Sequence, residues 1–446
     1  MFHGGGKRLN RLIDQYFKLT ERNTSVRREF LAALTTFVTV SYIILVNPVI
    51  LSEAGIPKEA ALAATIYGIV ITSLIMGFWA NLPIVIGPGM GLNAFFTYTV
   101  VLKQGLSWET ALGAVFISGL VFFILSVFGI SEKVVRAIPK TLKASITAGI
   151  GLFIAFIGLK NGGIVVPDEA TFVALGDMTN IGTILAVAGI VLTAVLSALN
   201  VRGAIIISIL IVSAASILLG NSPSPKGLSD FLSFQIPSIE PTFMAMDIKA
   251  AIGYGILSII FSFTIVELFD TLATLIGLTK KANLTDERGN VPNMNRALTT
   301  GAFGTMVSAV LGSTAMNTYV ENATGIASGA RTGLKAIFAA LLFLLTLLFA
   351  PFIQFIPSVA TSPALIIIGA FMLTELQEVD FDDLTELIPA FLALIMMPLT
   401  YSIAEGVAFG FLSYTLLKLF TGRAKELHWL MYVISAAFIV NFFLIG

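Results

Sequence analysis

Glu267 and Asp270 are the only charged residues in an apolar run from Ala250 to Leu278. On a helix, three-residue spacing puts both carboxylates on one face. A charge near the middle of a bilayer costs roughly 2.5–3.5 kcal/mol, so such groups line a protein interior or an aqueous cavity. Two chemistries suit them. A buried carboxylate exchanges a proton as water access alternates between sides, or it accepts parallel N–H groups from a planar heterocycle. The structural alternative is mutual hydrogen bonding with Thr264, Thr271 and Thr274.

Glu321 lies at the centre of a second polar stretch, Ser313–Ala330, flanked by Asn317, Thr318, Asn322 and Thr324. That stretch is too polar to face lipid; a protonated structural glutamate bonded to neighbouring hydroxyls is the plainer reading. A third stretch, Leu82–Tyr98, carries Pro83, Gly87, Pro88, Gly89 and Gly91, which rule out a regular full-length membrane helix. The spacing predicts extended backbone and then a half-helix from near Gly91, with Asn93 in its first turn. Broken backbone at membrane depth lines a cavity or is buried in protein, and a half-helix aims its positive end inward. Asn93 then serves either a ligand or an interhelical contact. Among Phe95, Phe96, Phe261, Phe263 and Tyr319, we take Phe95 and Phe263 as candidates to sandwich a flat ring, with plain packing as the alternative.

The elements that must position these residues follow from composition. Of 446 residues, 57% are hydrophobic and 12% charged, against about 25% charged in soluble domains. Apolar runs recur end to end, as in a polytopic helical membrane protein. The polar, basic start predicts no cleaved signal. Cysteine is absent, and the two histidines, His3 and His428, lie near opposite ends, which excludes a zinc-protease motif and leaves no metal-ligand set. Fourteen spans are predicted, including a third over Ile84–Leu102, an eighth over Ala250–Leu278 and a tenth over Ser313–Ser328. With residues 1–28 as a cytoplasmic basic tail, 21 of the 26 Lys and Arg residues fall in inside joints. Ser197–Leu210 and Tyr401–Tyr414 echo each other at matching places in the two halves. Seven spans per half is an odd number, so the second copy runs in the opposite sense, the mark of a secondary transporter with a midplane site. Residues 29–220 form the first repeat, 221–249 an extracellular linker and 250–420 the second repeat. Residues 421–446 are a C-terminal hydrophobic segment that either spans or lies in the interface. Glu405 reads as interfacial, and the acidic run Glu375–Glu386 as a solvated loop.

The motifs Val46–Leu51, Gly87–Phe96, Ala148–Val165, Glu267–Gly277, Thr318–Leu334 and Leu384–Gly406, in that order, resemble the nucleobase:cation symporter-2 family, in its AzgA-like purine permease branch. The resemblance implies a uracil-permease-like fold. Core helices would lie at 29–131 and 250–357, gate helices at 132–220 and 358–420, and short strands would interrupt helices 3 and 10. It implies a plasma-membrane transporter, not an enzyme, importing adenine, guanine or hypoxanthine by proton symport. No cofactor and no nucleic acid are implied, and the gate domain would form a homodimer. Carried over by motif, Asn93, Glu267, Asp270, Glu321 and Asn322 stand where the family binds base or couples protons. Gly89 and Gly91 join Asn93, Glu267, Glu321, Asn322, Phe95 and Phe263 as the substrate-binding candidates; Glu267, Asp270 and Glu321 are the proton-coupling candidates. Two departures stand out: Glu267 occurs where aspartate is frequent, and Gly301 stands where many relatives carry an acid after the Arg296-Ala297-Leu298 motif. The rival readings are another planar base (xanthine or uracil), an inorganic anion on the same fold, a channel, and an intramembrane enzyme. The central carboxylates disfavour anions, and no catalytic motif supports an enzyme.

Overall fold

The structure, a computed structural model, describes residues 11–253, 257–286 and 291–445. The first ten residues of the basic tail and a short piece of the predicted eighth span lie outside them. Among the described residues, nine helices are long and apolar enough to cross a membrane. The shorter apolar helices Ala204–Leu218 and Leu384–Thr400, the less apolar Met294–Leu311 and two broken spans bring the crossings to fourteen. A terminal helix, Trp429–Ile445, follows and packs Phe438 against Phe261 and Phe411.

Local chemistry sets the boundaries. Ser107, Asn180 and Ser402 accept backbone N–H bonds at the starts of Trp108–Val127, Ile181–Ala198 and Ile403–Phe420, filling otherwise orphaned donors. Pro57, Pro139 and Pro357 precede three further helices, where a missing N–H costs nothing. The first span breaks at Ser41-Tyr42 into Val26–Val40 and Ile43–Glu53. Between the fifth and sixth spans lies a hairpin that periodicity did not announce, β2 (Val165–Asp168) paired with β3 (Phe172–Leu175).

Two sets of helices pack among themselves. Val26–Val40 lies against Leu334–Leu345, and Trp108–Val127 against Met294–Leu311. Lys140–Asn161 lies against Ser358–Met372 and Leu384–Thr400. The contact of Lys140–Asn161 with Ser358–Met372 is backbone on backbone. A Cβ on Gly151 would sit 2.7 Å from the Gly369 carbonyl oxygen, and one on Gly369 2.2 Å from that of Gly151. Close approach at small residues is what holds helices together where no hydrophobic effect acts between them.

The acidic run is not simply solvated. Its last member, Glu386, takes an ion pair from the buried Lys418 at 2.7 Å, and the neighbouring Asp383 takes one from Arg423 at 2.5 Å. Glu426 binds both cations, at 2.8 and 2.6 Å, which fastens the start of the terminal helix to the thirteenth and fourteenth spans. The Arg423 hydrogen bonds, helped by Lys418, pull the Glu426 carboxyl down to about 2. Thr385 and Arg423 likewise lower that of Asp383. A depressed folded-state value contributes stability above the unfolded value, and that stability is lost as pH falls through the folded one. The melting temperature is therefore expected to drop between about pH 4 and pH 2. Arg423→Gln should flatten this drop in a pH series of detergent-purified protein; an unchanged profile would remove the cluster's role.

Candidate functional site

The two broken spans meet at one point. Strand β1 (Ile86–Pro88) runs antiparallel to β4 (Met316–Thr318), with Gly87 opposite Asn317. The Gly89 N–H continues the ladder to the Ala315 carbonyl at 3.0 Å. Each strand leads into a half-helix, Met90–Ala94 and Asn322–Ala327. The former winds on, in wider π-helical turns, over Phe95–Lys103. Pairing two short strands satisfies backbone groups that the bilayer could not. Glycine permits the crossing, because a Cβ on Gly87 would lie 2.5 Å from the Tyr319 hydroxyl and one on Gly89 2.8 Å from the Asn317 amide nitrogen.

A cavity opens beside the crossing, lined by Gly91, Thr147, Ile150, Asp270, Asn317 and Met372 among others. Thr147 and Met372 belong to the second set of helices, so the cavity lies between the two sets. The Asn317 amide donates to Asp270 Oδ2 at 2.6 Å, while its oxygen accepts from the Thr271 hydroxyl at 3.1 Å. That fixes the amide orientation and aims a carboxylate–amide pair at the cavity.

The other predicted residues are distributed around this centre. Glu267, fully buried, accepts from the Thr305 hydroxyl at 2.5 Å, and Thr305 in turn accepts the Met316 N–H of β4 at 2.9 Å. Among the described residues its Oε2 has no hydrogen-bond partner. Glu321 precedes the second half-helix and accepts from the Tyr42 hydroxyl at 2.8 Å, at the break in the first span. Gly91 lines the cavity, and Gly89 abuts Asn317. Asn93, Asn322, Phe95 and Phe263 are engaged elsewhere. The Asn93 amide donates to Asn47 at 2.6 Å and accepts from Thr314, joining the first, third and tenth spans. Asn322 spends both donors on the Val85 and Tyr319 carbonyls and accepts from the Val85 N–H and from Lys335. Phe95 and Phe263 are fully buried and pack edge-to-face on each other with centroids 4.8 Å apart.

Sequence reasoning passed over Lys335, which is fully buried. A lysine at the polar start of an apolar helix looks like a joint residue, and only the fold shows what covers it. Thr305 and Tyr42 carried no signal beyond being polar in an apolar setting. Asn317 was visible only as a neighbour of Glu321.

A Cβ on Gly91 would sit 2.3 Å from Ile150 Cγ2. Gly91→Val should therefore push Ile150 aside, narrow the cavity and lower uptake at least about tenfold, while the overpacking costs about 1–3 kcal/mol of stability. Vesicle uptake set beside size-exclusion profiles checks this.

Fourteen crossings, with two broken spans meeting in a strand pair beside a largely apolar cavity that holds one carboxylate–amide pair, define a multi-pass membrane permease. The chain belongs to the permease family, whose model matches residues 27–409. It is 39% identical over 433 residues to an adenine permease of Escherichia coli, covering 97% of this chain and 96% of that one. It is also 39% identical over 437 residues to a guanine/hypoxanthine permease of Bacillus subtilis, covering 96% and 100%. Among solved structures, the transmembrane domain of a cyanobacterium bicarbonate transporter superposes with a TM-score of 0.64 at 15% identity, covering 85% of this chain and 97% of that one. The latter likeness is one of fold. A permease family with transporter-named relatives makes this protein a transporter, not an enzyme.

Proposed function

We propose that the protein is a purine nucleobase permease that takes up adenine, guanine or hypoxanthine together with a proton by alternating access. The observation that carries the reading is the Asp270–Asn317 pair facing a cavity between two helix sets. A planar base presents adjacent donors and acceptors at its edge, and a carboxylate beside an amide complements such an edge. The adenine and guanine/hypoxanthine permeases that align over nearly the whole chain support the same substrate class.

In this reading Asp270 accepts a ring N–H, Asn317 contacts a carbonyl or ring nitrogen, and the half-helix beginning at Met90 turns its positive end toward the base. Glu267 Oε2, buried and without a donor among the described residues, is a place for the coupled proton, and Glu321 is the second. The helices at 29–131 and 250–357 act as the core, and those at 132–220 and 358–420 as the gate moving against it. The Lys and Arg distribution supports a cytoplasmic N-terminus in the cell membrane. The homodimer through the gate helices rests on the family resemblance.

Counterflow of labelled adenine and hypoxanthine in proteoliposomes tests the reading. Saturable exchange of unmodified purine, abolished in Asp270→Asn and stimulated by an inward proton gradient, is expected. Exchange that responds to bicarbonate or sulfate but to no purine would overturn it.

A further inference from the structure

Behind the strand crossing, away from the cavity-lining residues, lies a buried charge that the transport reading does not use. Lys335 stands at the start of Leu334–Leu345 with no exposed surface. Its Nζ donates to the Pro83 carbonyl at 3.1 Å and to Asn322 Oδ1 at 2.5 Å. Pro83 belongs to the unwound stretch before β1, and Asn322 opens the half-helix after β4. The same Asn322 oxygen also accepts the Val85 N–H at 2.8 Å. One ammonium group thus holds the two broken spans to each other. Glu29, equally buried, lies on the first span beside the start of the same helix. Glu29 is itself fixed by the backbone N–H groups of Arg331 and Thr332, at 2.8 and 3.2 Å. Gly325 leaves room for the stem, since a Cβ there would lie 3.0 Å from Lys335 Cε.

A peptide carbonyl from an unwound segment and an amide oxygen beside it are oxygen ligands of the kind a monovalent cation takes where transporter helices are interrupted. We propose that Lys335 is a tethered cation: its ammonium fills the place a soluble cation would occupy between the broken spans, and the wild-type protein needs no sodium. Lys335 is a positioning residue that acts through Pro83 and Asn322. A soluble ion would leave and return with each cycle, whereas a tethered one keeps β1 and β4 crossed throughout. The uptake arm of the test rests on the transport reading above; the melting arm does not.

Lys335→Ala leaves a hole the shape of n-propylammonium. In choline chloride, purified full-length Lys335→Ala should melt several degrees below wild type. n-Propylammonium chloride should restore at least half of that difference, 1-propanol at equal concentration should not, and wild type should respond to neither. Equal melting of variant and wild type in choline, no response to the amine, or equal rescue by the alcohol overturns the proposal. Should Lys335→Ala not be recovered folded, Lys335→Met and Lys335→Arg decide. The arginine variant keeps at least half of wild-type uptake and the methionine variant falls at least about tenfold; equal loss overturns the proposal. Wild-type purine uptake should stay within about twofold when choline replaces sodium, and a sodium requirement overturns the tethered cation. Absence of any purine uptake counts against the transport reading alone, and the melting arm then decides.

Discussion

Glu321→Gln is expected to lower purine uptake by at least about a hundredfold, while Glu405→Gln leaves it within a few-fold of wild type. Glu321 stands between two broken elements, bonded to Tyr42 at the kink of the first span and immediately ahead of the second half-helix. Glutamine keeps an oxygen for the Tyr42 hydroxyl, so the packing survives and only the charge and the proton-carrying group are lost. The loss therefore falls on the proton-carrying step, and a positioned group that takes and gives a proton contributes about 10²–10⁴-fold to a step that depends on it. Glu405 offers a control of the same chemistry. Its pair with Lys103 spans 3.3 Å with both side chains more than a third exposed, 38% and 39%, and such pairs contribute little. Uptake by the two variants at matched membrane expression is the measurement; equal losses would place the site elsewhere.

Asn322→Ala is expected to destabilise the fold itself, by at least about 3 kcal/mol. The side chain is the partner of the buried Val85 N–H and carbonyl, and it shares the Tyr319 carbonyl with its own backbone N–H and the Lys335 ammonium with the Pro83 carbonyl. Each buried polar group left unpaired costs about 1–3 kcal/mol, and the alanine cavity adds to that. Asn322→Asp, which retains the acceptors for Val85 and Lys335 but not the two donors, should fall between wild type and alanine. Melting curves and yields of the three proteins check the order. If alanine melts within a degree or two of wild type, the clamp on the broken third span is not what holds it.

These two residues, one position apart, show where sequence reading stops. Both were singled out as site residues because polar groups in an apolar span demand a reason. Their separate duties follow from direction: one side chain points across the half-helix toward Tyr42, its neighbour back along the unwound backbone. Asn93 and Phe95 illustrate the same limit. A side chain's type restricts what it can bond to, but not which of several partners in three dimensions it meets.

What the linear order determined is considerable. Apolar period and the Lys and Arg placement supply fourteen crossings, because lipid tolerates no unpaired backbone and no stray charge. Proline and glycine between Pro83 and Gly91 mark the third span as broken, since those residues cannot propagate a helix. Carboxylates inside the eighth and tenth spans announce a polar interior. Only the tertiary structure decided that Asp270 faces the cavity while Glu267, one turn earlier, is sealed against Thr305. It alone paired Gly87 with Asn317 across more than two hundred residues and buried Lys335 between the two breaks. The physical reason is that burial and hydrogen-bond partnership are set by neighbours from other spans, and the distance between such neighbours is not a function of their separation along the chain.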